Sequence, residues 1–134
     1  MKIVPFLPEL FRHLFKKPAT VKYPFEKLKV PPGFRGTPYL KTELCIACRA
    51  CERDCPAEAI EIIMVSQEEK KYKMMIHNDR CVHCAQCVEV CPTDAMLINS
   101  EFEIAAFSRH KLKVEYNYTR STAKPHPIDT KRYF

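Results

Sequence analysis

Two stretches of this chain share one pattern of cysteines: CIACRACERDCP at residues 45–56 and CVHCAQCVEVCP at residues 81–92. In each, three cysteines are separated by two residues, a fourth follows after three more, and a proline comes next. The chain contains 8 cysteines, so the two runs use every one of them. Because proline disfavours helical geometry at the residue before it, we expect each run to form a tight loop and a short helix that ends at the fourth cysteine.

Three uses of these cysteines compete: disulfide bonds, structural zinc sites and iron–sulfur clusters. Disulfides are disfavoured because the cysteines are too closely spaced for an ordinary framework and the N-terminus lacks the features of a signal peptide. Zinc sites with four thiolates also use Cys-x₂-Cys pairs, but they need two such pairs, whereas each run offers four cysteines closed by a proline. The spacing therefore favours iron–sulfur ligation over zinc.

Both runs resemble the ligand signature of bacterial ferredoxins that hold two [4Fe–4S] clusters. In those proteins three thiolates of each cluster come from one loop, and the fourth cysteine of each run crosses to the other cluster. The resemblance thus implies that cluster one is held by Cys45, Cys48, Cys51 and Cys91, and cluster two by Cys81, Cys84, Cys87 and Cys55. Such clusters store and pass single electrons.

Length and internal repetition limit the architecture. A chain of 134 residues suits one small domain with extensions. The segment PAEAI at residues 56–60 aligns with PTDAM at residues 92–96, which indicates an internal duplication. We expect an α+β fold, with a duplicated bacterial-type 2[4Fe–4S] ferredoxin domain over residues 40–107. A core this small should draw much of its folding free energy from the clusters.

Residues 1–18 predict an amphipathic helix that ends at Pro18. Its apolar positions recur at steps of three and four: Ile3, Val4, Leu7, Leu10, Phe11, Leu14 and Phe15. Such a helix either packs on the core of its own domain or lies on a membrane surface or in a groove of a membrane partner. We favour the second alternative because the two-cluster core leaves little room for it. Residues 19–39, rich in proline and holding both glycines, predict an extended arm.

The segments around the cysteine runs predict four strands and a C-terminal arm. Residues Ile60–Val65 and Lys73–His77 predict a hairpin around a polar turn, and Met96–Ile98 and Glu101–Ala106 predict strands of the second half. Residues 108–134 are polar, basic and rich in Tyr and Pro. We expect them to be disordered in isolation and to form an extended arm when docked.

The formal charge of +6 is concentrated in the two flanking segments, where basic residues outnumber acidic ones. This predicts contact with an acidic partner or an anionic surface. Nucleic acid is disfavoured because the chain has neither a Gly-rich aromatic strand motif nor a recognisable binding helix. The sequence contains no apolar stretch long enough to cross a bilayer. We therefore expect a peripheral protein at the cytoplasmic face of a membrane, in a reducing compartment.

Outside the cysteines, three segments resemble a narrower family. They are FKKP at 15–18 with Tyr23-Pro24, PPGFRG at 31–36 and SEFE at 100–103. With the cysteine runs, they resemble the two-cluster ferredoxin subunit (TYKY type) of respiratory complex I. The same subunit family serves the related membrane-bound [NiFe] hydrogenases and their sulfur-reducing relatives. The likeness spans roughly residues 14–107, although neither loop has the glycine that often follows the second cysteine.

This resemblance implies an electron-transfer subunit without a catalytic site of its own. It implies three partners: a small Fe–S subunit with the terminal cluster, a catalytic large subunit, and an integral membrane subunit contacted by the N-terminal helix. The short, lysine-rich chain favours a hydrogenase or sulfur-reductase complex. The alternatives are the quinone-reducing version in complex I and a diffusible two-cluster ferredoxin. A zinc-binding interaction module is a third hypothesis.

Several side chains near the cysteines have more than one interpretation. His83 is either a donor to cluster two that couples its potential to pH or, as we favour, a side chain pointing to solvent. Arg49 either raises the potential of cluster one or pairs with a carboxylate of a partner. We expect strand packing from four further residues, His77, Met64, Met74 and Met75. The sequence shows no nucleophile–base pair, phosphate-binding loop or pair of catalytic carboxylates.

Overall fold

The structure, a computed structural model, describes residues 6–125 of the chain. It divides the chain into two compact units, residues 1–30 and residues 31–134. The second unit holds both cysteine runs and all the strands that the described residues form.

The first unit contains helix α1, Leu7–Leu14. Pro8 lies in its first turn, where a missing backbone N–H costs no hydrogen bond, and the His13 ring hydrogen-bonds to Glu9 at 2.9 Å. The predicted N-terminal helix is present over this shorter range, and residues 1–5 lie outside the described part. Its apolar side chains are exposed, with Leu10 63 % and Leu14 71 % accessible. Within residues 6–125, no helix has the length and apolar character needed to cross a membrane.

The second unit is built from two antiparallel sheets and two short α-helices. Strands β1 (Pro38–Leu40) and β4 (Met96–Ile98) form one sheet. The other sheet has the order β2-β3-β5, with β2 at Ile60–Ser66, β3 at Lys71–His77 and β5 at Lys113–Thr119. The helices are α2 (Ala50–Arg53) and α3 (Gln86–Glu89), and 3₁₀ turns lie at Thr42–Leu44 and Arg109–Leu112.

The predicted hairpin is confirmed as β2 and β3. Its register pairs Ile60 with Ile76 and Ile62 with Met74, so alternate residues of both strands enter the core. The pairing shifts between Met64 and Ser66, where an irregularity precedes the polar turn. Strand β4 also matches its predicted bounds.

The strand predicted at Glu101–Ala106 is wrong, because these residues form no regular element. At the start of the segment, backbone N–H groups donate hydrogen bonds to a side chain instead of to a neighbouring strand. The Asn99 Oδ1 atom accepts the Glu101 N–H at 3.0 Å and the Thr37 N–H at 2.9 Å. An asparagine that bonds backbone groups two residues onward forms a turn, and the chain therefore bends where a strand was expected.

Strand β5 lies within the segment predicted as a C-terminal arm. It pairs with β3 over its whole length, from Lys71 opposite Thr119 to His77 opposite Lys113. Its apolar residues alternate as Val114, Tyr116 and Tyr118, a strand pattern that the polar composition of the segment concealed. Residues 126–134, the end of the predicted arm, lie outside the described part.

The core lies between the three-stranded sheet and the cysteine loops. Met74, Ile76 and Met96 are its largest fully buried side chains. Of the cysteines, Cys45, Cys51 and Cys91 are buried in the same cluster of residues. The apolar core and the cysteine sites are therefore continuous.

Candidate iron–sulfur cluster sites

Each cysteine loop owes its tight curvature to residues in the left-handed backbone region. In the first loop Ala47 and Arg49 have φ of 53° and 61°, and in the second His83 and Ala85 have φ of 53° and 69°. These four residues occupy equivalent positions in the two runs, and α2 and α3 begin directly after the second of each pair. The backbone thus repeats its conformation even where glycine, the usual left-handed residue, is absent.

The first cavity is lined by four cysteines from both runs: Cys45, Cys48, Cys51 and Cys91. Its remaining wall is largely aliphatic, with Leu40, Ile62, Met74 and Met96 among the lining residues. Three of its thiols come from the first run and one comes from the second.

The second cavity has the reciprocal composition. It is lined by Cys81, Cys84, Cys87 and Cys55. Ile60, Ile76 and Ile98 supply its aliphatic wall. The crossing cysteine, Cys55, precedes Pro56 just as Cys91 precedes Pro92 in the first cavity.

Backbone N–H groups point at the crossing thiols. Ala59 N donates to Cys55 Sγ at 3.3 Å, and Ala95 N donates to Cys91 Sγ at 3.2 Å. Both bonds follow a residue with positive φ, Glu58 at 48° and Asp94 at 53°. Donors of this kind stabilise a thiolate more than a neutral thiol.

Burial raises the pKa of several of these thiols, so they are neutral in the absence of a cation. The pKa of Cys87 rises to about 12, first through desolvation and then through the nearby Cys81. Desolvation likewise raises the pKa of Cys51, Cys45 and Cys81. Ligation to iron deprotonates a thiol outright. Loading iron onto these thiols is therefore coupled to proton release.

These features fit a polynuclear cluster. Within residues 6–125, no three Cys, His, Asp or Glu side chains converge on a position suited to one metal ion. The thiols instead line two separate cavities, four around each. Four soft sulfur ligands in an aliphatic enclosure are the donor set that iron–sulfur clusters use.

His83 does not extend freely into solvent, so the favoured prediction for it is wrong. The side chain is half-buried, and its Nδ1 atom lies 2.8 Å from the Gly36 carbonyl oxygen. Next to it, Arg35 Nη1 donates to the Cys84 carbonyl at 3.2 Å. Residues 35–36 therefore brace the second cysteine loop from outside.

Arg49 is held within its own chain. Its Nε atom donates to Glu52 Oε2 at 2.6 Å and its Nη2 atom to the Ile62 carbonyl at 3.2 Å. The other Glu52 oxygen accepts the Ile62 N–H at 2.9 Å. The hydrogen bond and charge of Arg49 lower the pKa of Glu52. The carboxylate that Arg49 contacts is thus an internal one that ties the first loop to β2.

The four residues predicted as strand packing behave differently from one another. His77 and Met74 are buried in β3, as predicted, and Met75 is half-buried. Met64 is 49 % exposed, so the packing prediction is wrong for that residue. The buried His77 Nε2 atom lies 3.2 Å from Glu61 Oε1.

Two residues beside the cysteines were not predicted from the sequence. Thr93 is buried, and its Oγ1 atom lies 3.9 Å from Cys91 Sγ. Tyr118, on β5, is buried with its hydroxyl at the Cys45 thiol, and burial raises the pKa of this phenol far above its usual range. Only the alternation of apolar residues in β5 would have pointed to Tyr118.

Comparison with known proteins agrees with this geometry. Residues 44–95 match the 4Fe-4S dicluster domain family. NADH-quinone oxidoreductase subunit I of Carboxydothermus hydrogenoformans is 43 % identical over 107 residues, covering 78 % of this chain and 76 % of that protein. NAD(P)H-quinone oxidoreductase subunit I of Thermosynechococcus vestitus is 41 % identical over 109 residues, covering 78 % and 56 %.

Among solved structures, the chain is similar to one in the membrane-bound sulfane sulfur reductase, an archaeal respiratory membrane complex. The TM-score is 0.53 at 32 % identity, and the match covers 73 % of this chain and 51 % of that one. The chain thus spans about three quarters of one subunit I relative and about half of the others and of this structural neighbour.

The dicluster match and the cysteine complement together assign two [4Fe–4S] clusters as the cofactors. The relatives are subunits of multi-subunit respiratory complexes, and the partners of this chain are of that kind. The chain belongs to the subunit I family of NADH-quinone oxidoreductases.

Proposed function

We propose that this chain is an electron-transfer subunit of a complex I-like membrane-bound oxidoreductase. It relays single electrons through its two clusters to the terminal cluster of a neighbouring subunit. The observation that carries this proposal is the pair of cavities, each lined by three cysteines of one run and one of the other. The subunit I relatives support the same role.

On this proposal cluster one is held by Cys45, Cys48, Cys51 and Cys91, and cluster two by Cys81, Cys84, Cys87 and Cys55. When bound, the clusters supply the one-electron redox chemistry. The chain supplies ligands, enclosure and charge stabilisation. Aliphatic walls exclude water, and the N–H groups of Ala59 and Ala95 offset the thiolate charge.

The two sites lie close together. Cys51 of the first site and Cys87 of the second interact electrostatically, and α2 packs against α3. Cys48 and Cys84 are the exposed ligands of the two sites. We infer that electrons enter and leave at these exposed thiolates, where a partner subunit approaches most closely.

We further propose a division of labour along the chain. Residues 40–107 form the duplicated ferredoxin domain, consistent with the repeated backbone conformation of the two loops. Residues 1–18 attach the subunit to an integral membrane partner, because α1 exposes an apolar face with basic flanks. Residues 19–39 are an arm that contacts partner subunits, whereas residues 113–119 of the predicted C-terminal arm belong to the sheet as β5. These partners are a small Fe–S subunit and a catalytic large subunit, at the cytoplasmic face.

The relatives support two different classes of terminal electron acceptor. The sulfane sulfur reductase supports a sulfur-reducing complex, and the subunit I relatives support a quinone-reducing one. We favour a complex of the hydrogenase or sulfur-reductase type, on the lysine-rich chain and on its likeness to the sulfane sulfur reductase. Purification from membranes of the source cells, followed by identification of the companion subunits, decides among these acceptors.

The cluster assignment is tested with anaerobically prepared protein. We expect about eight iron and eight sulfide per chain and EPR signals of two interacting [4Fe–4S] clusters after reduction. Cys91→Ser should disturb the same signal as Cys48→Ser, although Cys91 belongs to the other run. If Cys91→Ser instead matches Cys84→Ser, the crossed assignment is wrong. A colourless chain with only zinc bound contradicts the proposal as a whole.

Deleting residues 1–18 distinguishes a subunit of a membrane complex from a diffusible ferredoxin. A subunit of a membrane complex should lose its attachment while keeping both clusters. A diffusible ferredoxin should keep both its clusters and its ability to serve soluble acceptors, and it should never sediment with membranes. Retained attachment of the truncated chain would remove α1 from the proposal.

A further inference from the structure

The Tyr118 hydroxyl is a buried polar group without a satisfactory partner. Tyr118 is 6 % exposed, and its oxygen is fully enclosed. Within residues 6–125 this oxygen makes no hydrogen bond of good geometry. Because an unsatisfied buried hydroxyl destabilises a fold, such a group calls for a partner that the protein atoms alone do not provide.

The hydroxyl is directed at the first cluster site. The group that it approaches is the Cys45 thiol. Its ring stacks on Tyr72, with centroids 6.0 Å apart and planes 22° apart, which orients the ring and holds the hydroxyl oxygen in place. Just beyond β5, Ser121 N donates to the Cys45 carbonyl at 2.8 Å, so the chain three residues after Tyr118 is held against this cysteine.

A neutral thiol accepts hydrogen bonds weakly, whereas a thiolate accepts them well. Cys45 becomes a thiolate when it binds iron. A tyrosine hydroxyl is a neutral donor at pH 7, so it gains its partner at the moment the cluster is bound. This matches a hydroxyl that is unsatisfied among protein atoms but already enclosed beside the sulfur.

We propose that Tyr118 donates its hydroxyl hydrogen to the Cys45 thiolate and thereby raises the reduction potential of cluster one. The inference rests on the proposed assignment of Cys45 to that cluster. Reduction adds a negative charge to the cluster and its thiolates, and a donor to a ligand sulfur favours the more negative state. Tyr118 is a positioning and tuning residue, because it acts through Cys45.

The hydrogen bond from Tyr118 would raise the reduction potential of cluster one but not that of cluster two. On this proposal Cys45 receives the backbone N–H of Ala47 and, in addition, the Tyr118 hydroxyl. Cys81, its counterpart in the second run, receives the equivalent backbone N–H of His83, at 3.4 Å. Strand β5 thus gives cluster one a hydrogen-bond donor that the repeated loops do not supply. The repeated pattern of the loops therefore does not by itself determine the reduction potentials of the two clusters.

The test compares holoprotein of the wild type, Tyr118→Phe and Tyr116→Phe in an anaerobic redox titration followed by EPR. Tyr116 lies on the same side of β5 and serves as the matched control. At a fixed ambient potential, Tyr118→Phe should reduce the ratio of reduced to oxidised cluster one by up to about tenfold, which is 59 mV for a one-electron couple. Cluster two, and both clusters in Tyr116→Phe, should be unchanged. The Cys48→Ser variant identifies the signal of cluster one.

A second readout does not depend on the potential. After brief transfer to D₂O, electron–nuclear double resonance on reduced wild-type protein should reveal a rapidly exchanging deuteron coupled to cluster one. The coupling should be absent from Tyr118→Phe and present in Tyr116→Phe. If Tyr118→Phe fails to retain cluster one, the wild-type measurement alone decides, because the inference requires the fast deuteron.

Failure of this inference and failure of the proposed function look different. A Tyr118→Phe protein with about eight iron, an unshifted cluster one and the same deuteron coupling as the wild type overturns the inference and leaves the cluster assignment intact. A wild-type chain with only trace iron and sulfide removes the proposed function, and the inference with it.

Discussion

At the scale of single residues, the cysteines that line the two cavities could be predicted from the sequence, but the groups that contact them could not. The regular spacing makes Cys45 and its companions recognisable without a structure. Tyr118 and Thr93 become neighbours of thiols only through tertiary packing, since no fixed sequence distance links Tyr118 to Cys45. Gly36 shows the same limitation in a different way, because its need for a bare backbone depends on a segment more than sixty residues later.

Replacing Gly36 by alanine should be far more harmful than replacing Gly33. A Cβ at Gly36 would collide with the Asn99 carbonyl and lie 2.7 Å from the Glu101 carbonyl, and both are backbone atoms that cannot move cheaply. A Cβ at Gly33 meets nothing within 4 Å, so Gly33→Ala carries only the strain of φ +79°, about 1 kcal/mol. We expect Gly36→Ala to cost about 3 kcal/mol or more. Guanidinium unfolding of both holoproteins measures the difference.

Because residues 35–36 brace the second cysteine loop, the damage in Gly36→Ala should appear first at cluster two. Loss of the cluster two EPR signal before that of cluster one checks this order. Equal stability of the Gly33 and Gly36 variants would contradict the close packing of Gly36 against residues 99–101.

Glu52→Gln should destabilise the first loop in a pH-dependent way. The Arg49 hydrogen bond lowers the pKa of Glu52 below its ordinary value of 4.5. The carboxylate therefore contributes stability that is fully present above pH 4.5 and is lost as the pH falls through the lower pKa of the folded state. Glutamine keeps an acceptor for the Ile62 N–H but loses the charge, and we expect a loss of about 1 kcal/mol at pH 7.

The measurement is the difference in unfolding free energy between wild type and Glu52→Gln at several pH values. Using the difference cancels the general acid lability of the clusters. The difference should shrink as the pH falls below 4.5. A difference in unfolding free energy that does not change with pH would mean that the Arg49–Glu52 ion pair does not stabilise the folded state.

At the scale of the elements, the alternation of apolar residues predicted strands that have one buried face. The β2–β3 hairpin followed from alternating apolar residues such as Ile60 and Ile62, because one face of the sheet is buried. Strand β5 has the same alternation of apolar residues. The overall composition of its segment is basic and polar, however, and this composition predicts an arm instead of a strand. The error at residues 101–106 was the reverse, since apolar residues there follow a turn fixed by Asn99.

Removing β5 should affect the two clusters unequally. A chain that ends after Leu112 loses the third strand, Tyr118 and the Ser121 bond to Cys45. A chain that ends after Lys124 keeps all three and is the matched control. We expect cluster one of the shorter chain to release its iron to a chelator at least about tenfold faster, and the control to behave as the full chain. Equal rates in both chains would show that β5 does not stabilise the first site.

At the scale of the whole molecule, the two sites and the apolar core depend on each other. Buried cysteines belong to the same cluster of residues as Met74 and Ile76, so an empty site is also a gap in the core. Each cavity is lined by cysteines from both runs, so both halves of the second unit contribute to each site. This coupling was predicted from size alone, because a small core needs metal to fold.

Anaerobic removal of iron should therefore unfold the described part of the second unit, residues 31–125, as a whole. We expect the far-ultraviolet circular dichroism of the strands to collapse, with amide protection lost throughout β2 and β3. Reconstitution with iron and sulfide should restore both. An apo-chain that keeps a cooperative thermal transition would show that the strands fold without their clusters.

The solvent exposure of Cys48 and Cys84 has a consequence for life in air. The corner of each cube nearest the surface is the one that dioxygen and peroxide reach first, so oxidative breakdown should start there rather than at the enclosed corners. A neighbouring subunit seated over that corner would act as a shield as well as a conductor. The isolated chain should then bleach in air much faster than the same chain in its assembled complex.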